Sequence, residues 1–176
     1  NIRVMQVKHL EDIESWDIKK FAKLCIKSNP QIAEWLRSPI IYRDSGVRRK
    51  FKEYFDKGCS LKFLRWHYLN MAKKNYKDYL QYDMSCKKYL YVLRGIACAE
   101  YIRKEKKLPP LPYKEVIKYL PDYTQRFFEK CIVKKNETEK ARIIAEEDIS
   151  RFIKSYFGDE QSPEKIFKNE KGLNGY

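Results

Sequence analysis

Glu11, Asp12, Glu14 and Asp17 place four carboxylates in one short stretch near the amino end. Residues 2–7 alternate loosely through Ile2 and Val4, with Met5 and Val7, and are β-branched enough for a strand. Residues 9–14 read as an extended or turn segment continuing it. Strand geometry puts Asp12 and Glu14 on one face, with Asp17 beyond them at a helix start. Carboxylates at a strand end suit Mg²⁺, a hard cation that takes oxygen ligands and completes its shell with phosphate and water. The same residues also fit a solvated acidic turn followed by an N-cap at Asp17, whose carboxylate accepts from the first free amides of a helix.

The second constellation is cationic. Lys87, Tyr91 and Arg94 are spaced i, i+4 and i+7, which stacks them on one helical face, and Lys88 lies beside them. Arg94 sits among Tyr91, Val92, Leu93, Gly95, Ile96 and Ala97, so its guanidinium needs a partner. That partner is either a phosphate or an internal acid such as Asp17 or Glu34. Upstream, Arg65, Lys73, Lys74 and Lys77 interleave with Tyr68, Tyr76 and Tyr79. Tyrosines among cations suit stacking on bases, and tyrosines at helical spacing equally suit a core.

Other chemistries find no support. The chain lacks GxxxxGK[ST], GxGxxG, HExxH and GxSxG. Its five cysteines (Cys25, Cys59, Cys86, Cys98, Cys131) form no CxxC and share no ligand spacing with His9 or His67, which argues against zinc. An odd number of scattered cysteines predicts reduced thiols in a cytoplasmic protein. Residues 89–99 are too few to span a bilayer and include Arg94, so no membrane partner is expected. Thirty-eight Lys and Arg against 24 acids give a net charge of +14, a field that attracts polyanions such as nucleic acid or a nucleoside triphosphate.

Few Gly and Pro among 176 residues, with 43% hydrophobic residues, predict a mostly helical core. Ile18, Phe21, Ala22 and Cys25 share a face of a first helix that ends before Pro30. A second helix covers residues 30–37, with Pro in its first turn, and a third runs from 47 to 56, ending at Gly58. Two long helices follow, from Ser60 to about Gln81 and from Ser85 to about Lys106. Their short connector predicts antiparallel neighbours. The stretch 107–112, rich in Pro, reads as a linker. Three amphipathic pieces come next, 113–120, 123–134 and 137–157, with Phe127, Phe128, Ile132, Ile143, Ile144, Ile149, Phe152, Ile153 and Phe157 as their expected core; Gly158 ends the last, and a loose tail follows over 161–176.

The series Asp12–Phe21, Leu24, Lys27–Pro30, Glu34–Leu36 and Ser38–Tyr42, continued by Tyr68, Met71–Ala72, Asn75–Tyr76 and Lys87–Arg94, resembles DNA-polymerase-beta-like nucleotidyltransferases associated with RNA repair. The resemblance runs from about residue 8 to 112. It implies a mainly α (α+β) fold, with a short N-terminal strand remnant of a nucleotidyltransferase sheet followed by a helical bundle. The implied organisation is 1–42 as the end of the catalytic region, 43–108 as a helical nucleotide-covering domain, 109–160 as C-terminal helices and 161–176 as tail. The implied activity is Mg²⁺-dependent transfer of a nucleotide from a nucleoside triphosphate to RNA, DNA or another acceptor. Asp12 matches the family's third catalytic acid and metal ligand, with Asp17 as the alternative. Lys87, Lys88 and Arg94 match the basic helix that would face the triphosphate or the polynucleotide, and Tyr91 joins them as a nucleotide-binding candidate.

The chain departs from the family pattern in one respect. No Gly-Ser turn followed by Asp-x-Asp occurs in it, and the first residue is Asn1 rather than Met. The motif is expected just before Asn1, and these 176 residues alone are expected to be inactive, because one carboxylate does not hold two Mg²⁺ ions. The competing readings are a non-catalytic basic module that binds nucleic acid and a helical protein-interaction module. Neither the acceptor nor the oligomeric state is legible.

Overall fold

Asp17 is where the backbone changes from extended to helical. A computed structural model describes residues 3–6, 12–42, 44, 46–80, 82 and 84–157, and of 3–6 and 12–15 it describes only the backbone. Most of this chain is helix. The contact pattern divides it into two compact units, Asn1–Ser60 and Leu61–Tyr176.

In the first unit, strands β1 (Arg3–Gln6) and β2 (Asp12–Ser15) pair antiparallel, Arg3 opposite Ser15 and Gln6 opposite Asp12. Helix α1 (Ile18–Ile26) begins where the Asp17 carboxylate accepts from the Lys20 amide at 2.9 Å. It ends in a Schellman motif: the Ser28 amide donates to Cys25 O at 3.0 Å and the Asn29 amide to Leu24 O at 3.1 Å. Glycine is usual at the left-handed position of this motif, yet here Ser28 holds it, at φ 53°. The reason lies in the hydroxyl, which is buried and accepts from the Ser60 amide at 2.8 Å. Asn29 then caps α2 (Pro30–Arg37), accepting from the Gln31 amide. Helix α2 buries Ile32, Ala33 and Leu36, and α3 (Val47–Gly58) buries Phe55. Edge-on packing of Phe21 on Phe51 and a tilted Trp16–Trp35 pair complete the unit's apolar contacts.

The second unit is organised around one long helix. Helix α4 (Leu61–Asn75) continues into a π-helical turn, Tyr76–Leu80, and packs along α5 (Cys86–Glu105). From Val92 to Ile102, α5 is buried on nearly every side, as expected of a helix that is apolar all round. Gly95 lets the two backbones approach: a Cβ there would lie 3.1 Å from both Ala72 Cβ and Tyr68 O. Helix α5 stops at Lys106 in the left-handed conformation, φ 55°. The proline stretch after it does not divide the unit, for α6 (Tyr113–Val116), a following 3₁₀ turn and α7 (Asp122–Glu137) all pack back on α5.

The helix expected over 137–157 is two features. Helix α7 runs on to Glu137, the chain from 138 to 146 is not helical, and α8 spans Glu147–Ser155. In between, the backbone straps the start of α5: the Cys86 amide donates to Ala141 O at 2.9 Å and the Ile143 amide to Met84 O at 3.0 Å. Asn136 and Thr138 favour leaving a helix, and β-branched Ile143 and Ile144 suit the extended path. Ile144, expected in the core, is 81% exposed. Ile149 and Ile153 of α8 are buried as expected. The expected end of this last helix at Gly158 and the loose tail fall outside the described residues.

One buried hydroxyl in this core stands alone. Thr124 is fully buried and its Oγ1 has no hydrogen-bond partner. Thr124→Val keeps the shape and β-branching and removes the unsatisfied group, so it will raise unfolding stability by about 1 kcal/mol, measured as an upward shift in urea midpoint. Among the described residues, no helix is long and apolar enough to cross a membrane.

Candidate functional site

The acidic side of the expected site is only partly in view. Asp12 occupies the first position of β2, paired with Gln6, and its carboxylate, like those of Glu11 and Glu14, lies outside the described residues. Asp17 is in view and serves as the cap of α1. The Lys20 amide, chiefly, holds its carboxyl below the ordinary value of 3.8. A depressed pKa means that the charged cap stabilises the fold fully above that ordinary value and loses this contribution as pH falls below it. Asp17→Ala will therefore lower the melting temperature at pH 7, and the difference from the parent will shrink in acid below the folded-state pKa, where only the charge-dependent part of the cap is lost. Among the described residues, no three His, Cys, Asp or Glu side chains gather as metal ligands, so the described side chains alone do not build a magnesium site.

The cationic side is better defined. Lys87 Nζ lies 3.7 Å from Glu139 Oε1, in an open pair worth little to stability. Lys88 Nζ lies 3.4 Å from the centre of the Tyr79 ring and 5.9 Å from that of Tyr91. Tyr91 is 48% exposed, Tyr79 is 43% exposed, and Arg94 is half-buried with a partner of its own. The tyrosines of α4 and its π turn thus divide. Tyr68 is core, Tyr76 packs against Phe157 at 5.3 Å, and Tyr79 turns to the surface beside Lys88.

Between α5 and α7 lies an open cleft of about 390 Å³, lined by Lys87, Leu90, Tyr91, Lys135 and Glu139. Sequence reasoning missed Lys135. The pair Lys134-Lys135 in the last turn of α7 reads as ordinary compensation of the helix dipole, and nothing in its spacing points across to α5. The cleft offers cations for phosphate and a ring face for a base. Among the described residues, Glu139 is the only carboxylate in its lining. On α7, burial, then neighbouring Cys86, pushes the Cys131 thiol up to about 12, which disfavours the thiolate that a nucleophile requires.

Comparison with protein families matches residues 2–175 to RlaP, the RNA repair pathway DNA polymerase beta family. A Bacillus subtilis (strain 168) relative, described as uncharacterized protein YcgL, is 38% identical over 113 residues, covering 61% of this chain and 42% of that protein. The chain therefore spans less than half the length of this curated relative. No solved structure matches the chain.

Proposed function

This chain belongs to the RNA repair pathway DNA polymerase beta family, and we propose that it contributes a helical part of a nucleotidyltransferase whose basic face meets the phosphates of a triphosphate or of a polynucleotide. The observation that carries the reading is the exposed face of α5, where Lys87, Lys88 and Tyr91 stand together beside an open cleft. In this reading β1 and β2 are the last part of the catalytic sheet, and Asp12 is the acid that faces Mg²⁺. The metal would orient an attacking hydroxyl and offset charge on the transferred phosphoryl group. The chain's own residues bind and position: ammonium groups neutralise phosphate oxygens, and Tyr91 offers its ring to a base. The Asp-x-Asp pair used by such enzymes is not among the 176 residues, so we assign activity to the product of the full reading frame. A cytoplasmic setting goes with this reading, because all five cysteines are free.

The test is direct. The full product, incubated with each labelled nucleoside triphosphate, Mg²⁺ and an oligoribonucleotide, is expected to add label to the acceptor and to stop when the metal is chelated. No incorporation from any triphosphate on RNA, DNA or protein acceptors would overturn the transferase. The net charge of +14 favours a second reading, a non-catalytic module that holds nucleic acid or a protein partner. That reading predicts salt-sensitive binding with no incorporation at all.

A further inference from the structure

We propose that the cleft between α5 and α7, together with the Tyr79–Lys88 pair that adjoins Tyr91 outside its lining, is a groove for single-stranded nucleic acid, with Tyr79 and Tyr91 as stacking surfaces and Lys87, Lys88 and Lys135 as phosphate partners. The proposal deepens the transferase reading by naming the class of acceptor, and rests on it for the reaction but not for the binding. Three separate elements supply the parts: the π turn gives Tyr79, α5 gives Lys87, Lys88 and Tyr91, and α7 gives Lys135. Tyr91 is substantially exposed, and Tyr79 stays exposed although Lys88 Nζ covers one of its faces at 3.4 Å, which leaves its other face for a base. Cations interleaved with open aromatic faces are what a sequence-tolerant single-strand site requires. A duplex would gain less, since its bases are stacked on one another and their faces are closed to side chains.

The composition of the cleft also argues against a free triphosphate as its occupant. Glu139 stands 3.7 Å from Lys87 and lines the same space. A carboxylate there repels the dense charge of a triphosphate more than the single charge carried by each nucleotide of a strand. It can also accept a hydrogen bond from a base amino group.

The experiment measures fluorescence anisotropy of a labelled single-stranded oligoribonucleotide with the 176-residue chain, in the absence of triphosphate and metal. Tyr79→Ala and Tyr91→Ala are each expected to weaken binding about tenfold without changing its salt dependence, and Tyr91→Phe to bind like the parent. Lys135→Ala should weaken binding and lower the salt slope by about one, and Glu139→Gln should tighten binding. Thermal melts of each variant exclude misfolding. Alanine variants of both tyrosines that fold and bind like the parent would overturn the groove. So would equal affinity for a hairpin duplex, or displacement of the strand by ATP at a matching phosphate concentration. Failure of the transferase reading looks different: the strand binds as described, and the full product adds no nucleotide.

Discussion

Replacing Asp12 by Asn in the product of the full reading frame will lower nucleotide transfer at least about a hundredfold, since even outer-shell partners of a metal are worth about 10- to 100-fold. Asparagine keeps the size and one oxygen but loses the charge that a divalent cation seeks. The companion variant Asp17→Asn separates the two acids of the expected site. Asparagine is as good an N-cap as aspartate, so a residue whose role is to receive the Lys20 amide tolerates it with activity and melting temperature nearly unchanged. Initial rates of label incorporation for both variants, each checked for folding by circular dichroism, decide the assignment. Full activity in Asp12→Asn with a large loss in Asp17→Asn would move the metal-facing role to Asp17.

Gly95→Val will destabilise the second unit by about 3 kcal/mol, the upper part of the range for overpacked cores, and lower its melting temperature by about 10 °C. The first atom added already meets Ala72 Cβ and the Tyr68 carbonyl at 3.1 Å, and one of these is main chain that side-chain rotation cannot move aside. Valine adds two methyl groups beyond that point and stiffens χ1 in a helix. Gly95→Ala is the control. It regains about 1 kcal/mol of helix propensity against a contact that needs only a few tenths of an ångström of relief, so its melting temperature should stay near the parent's. Parallel thermal melts of the three proteins give the comparison, and an unshifted valine variant would mean that α4 and α5 separate more easily than their contact implies.

What the residues announced in advance follows physical lines. Local chemistry was legible: Asp17 as a cap, and Pro30–Arg37 as a helix opened by Asn29-Pro30, depend on neighbours in sequence. An apolar face of α5 was legible too, in the residues that flank Arg94, whereas its burial on nearly every side was not. Long-range backbone pairing was not. The exit from helix at Thr138 depends on amides and carbonyls of residues 84–86, more than fifty positions earlier. The site divides in the same way. Lys87, Lys88 and Tyr91 were visible as a stripe at helical spacing, whereas Lys135 joins them only through the packing of α7 on α5. Tyr79 could be told from Tyr68 only once the helix had changed its winding.

That change of winding makes the surface sensitive to length as well as to chemistry. A π-helical turn accommodates one residue more than an α-helix has room for. Losing a single residue between Tyr76 and Leu80 would let α4 run on regularly, with the chain after it kept near its place, and would turn residues of the turn itself by up to about 100°. Tyr79 would leave Lys88, although every cation of the groove would still be present. A one-codon deletion there is thus a sharper lesion than many substitutions nearby.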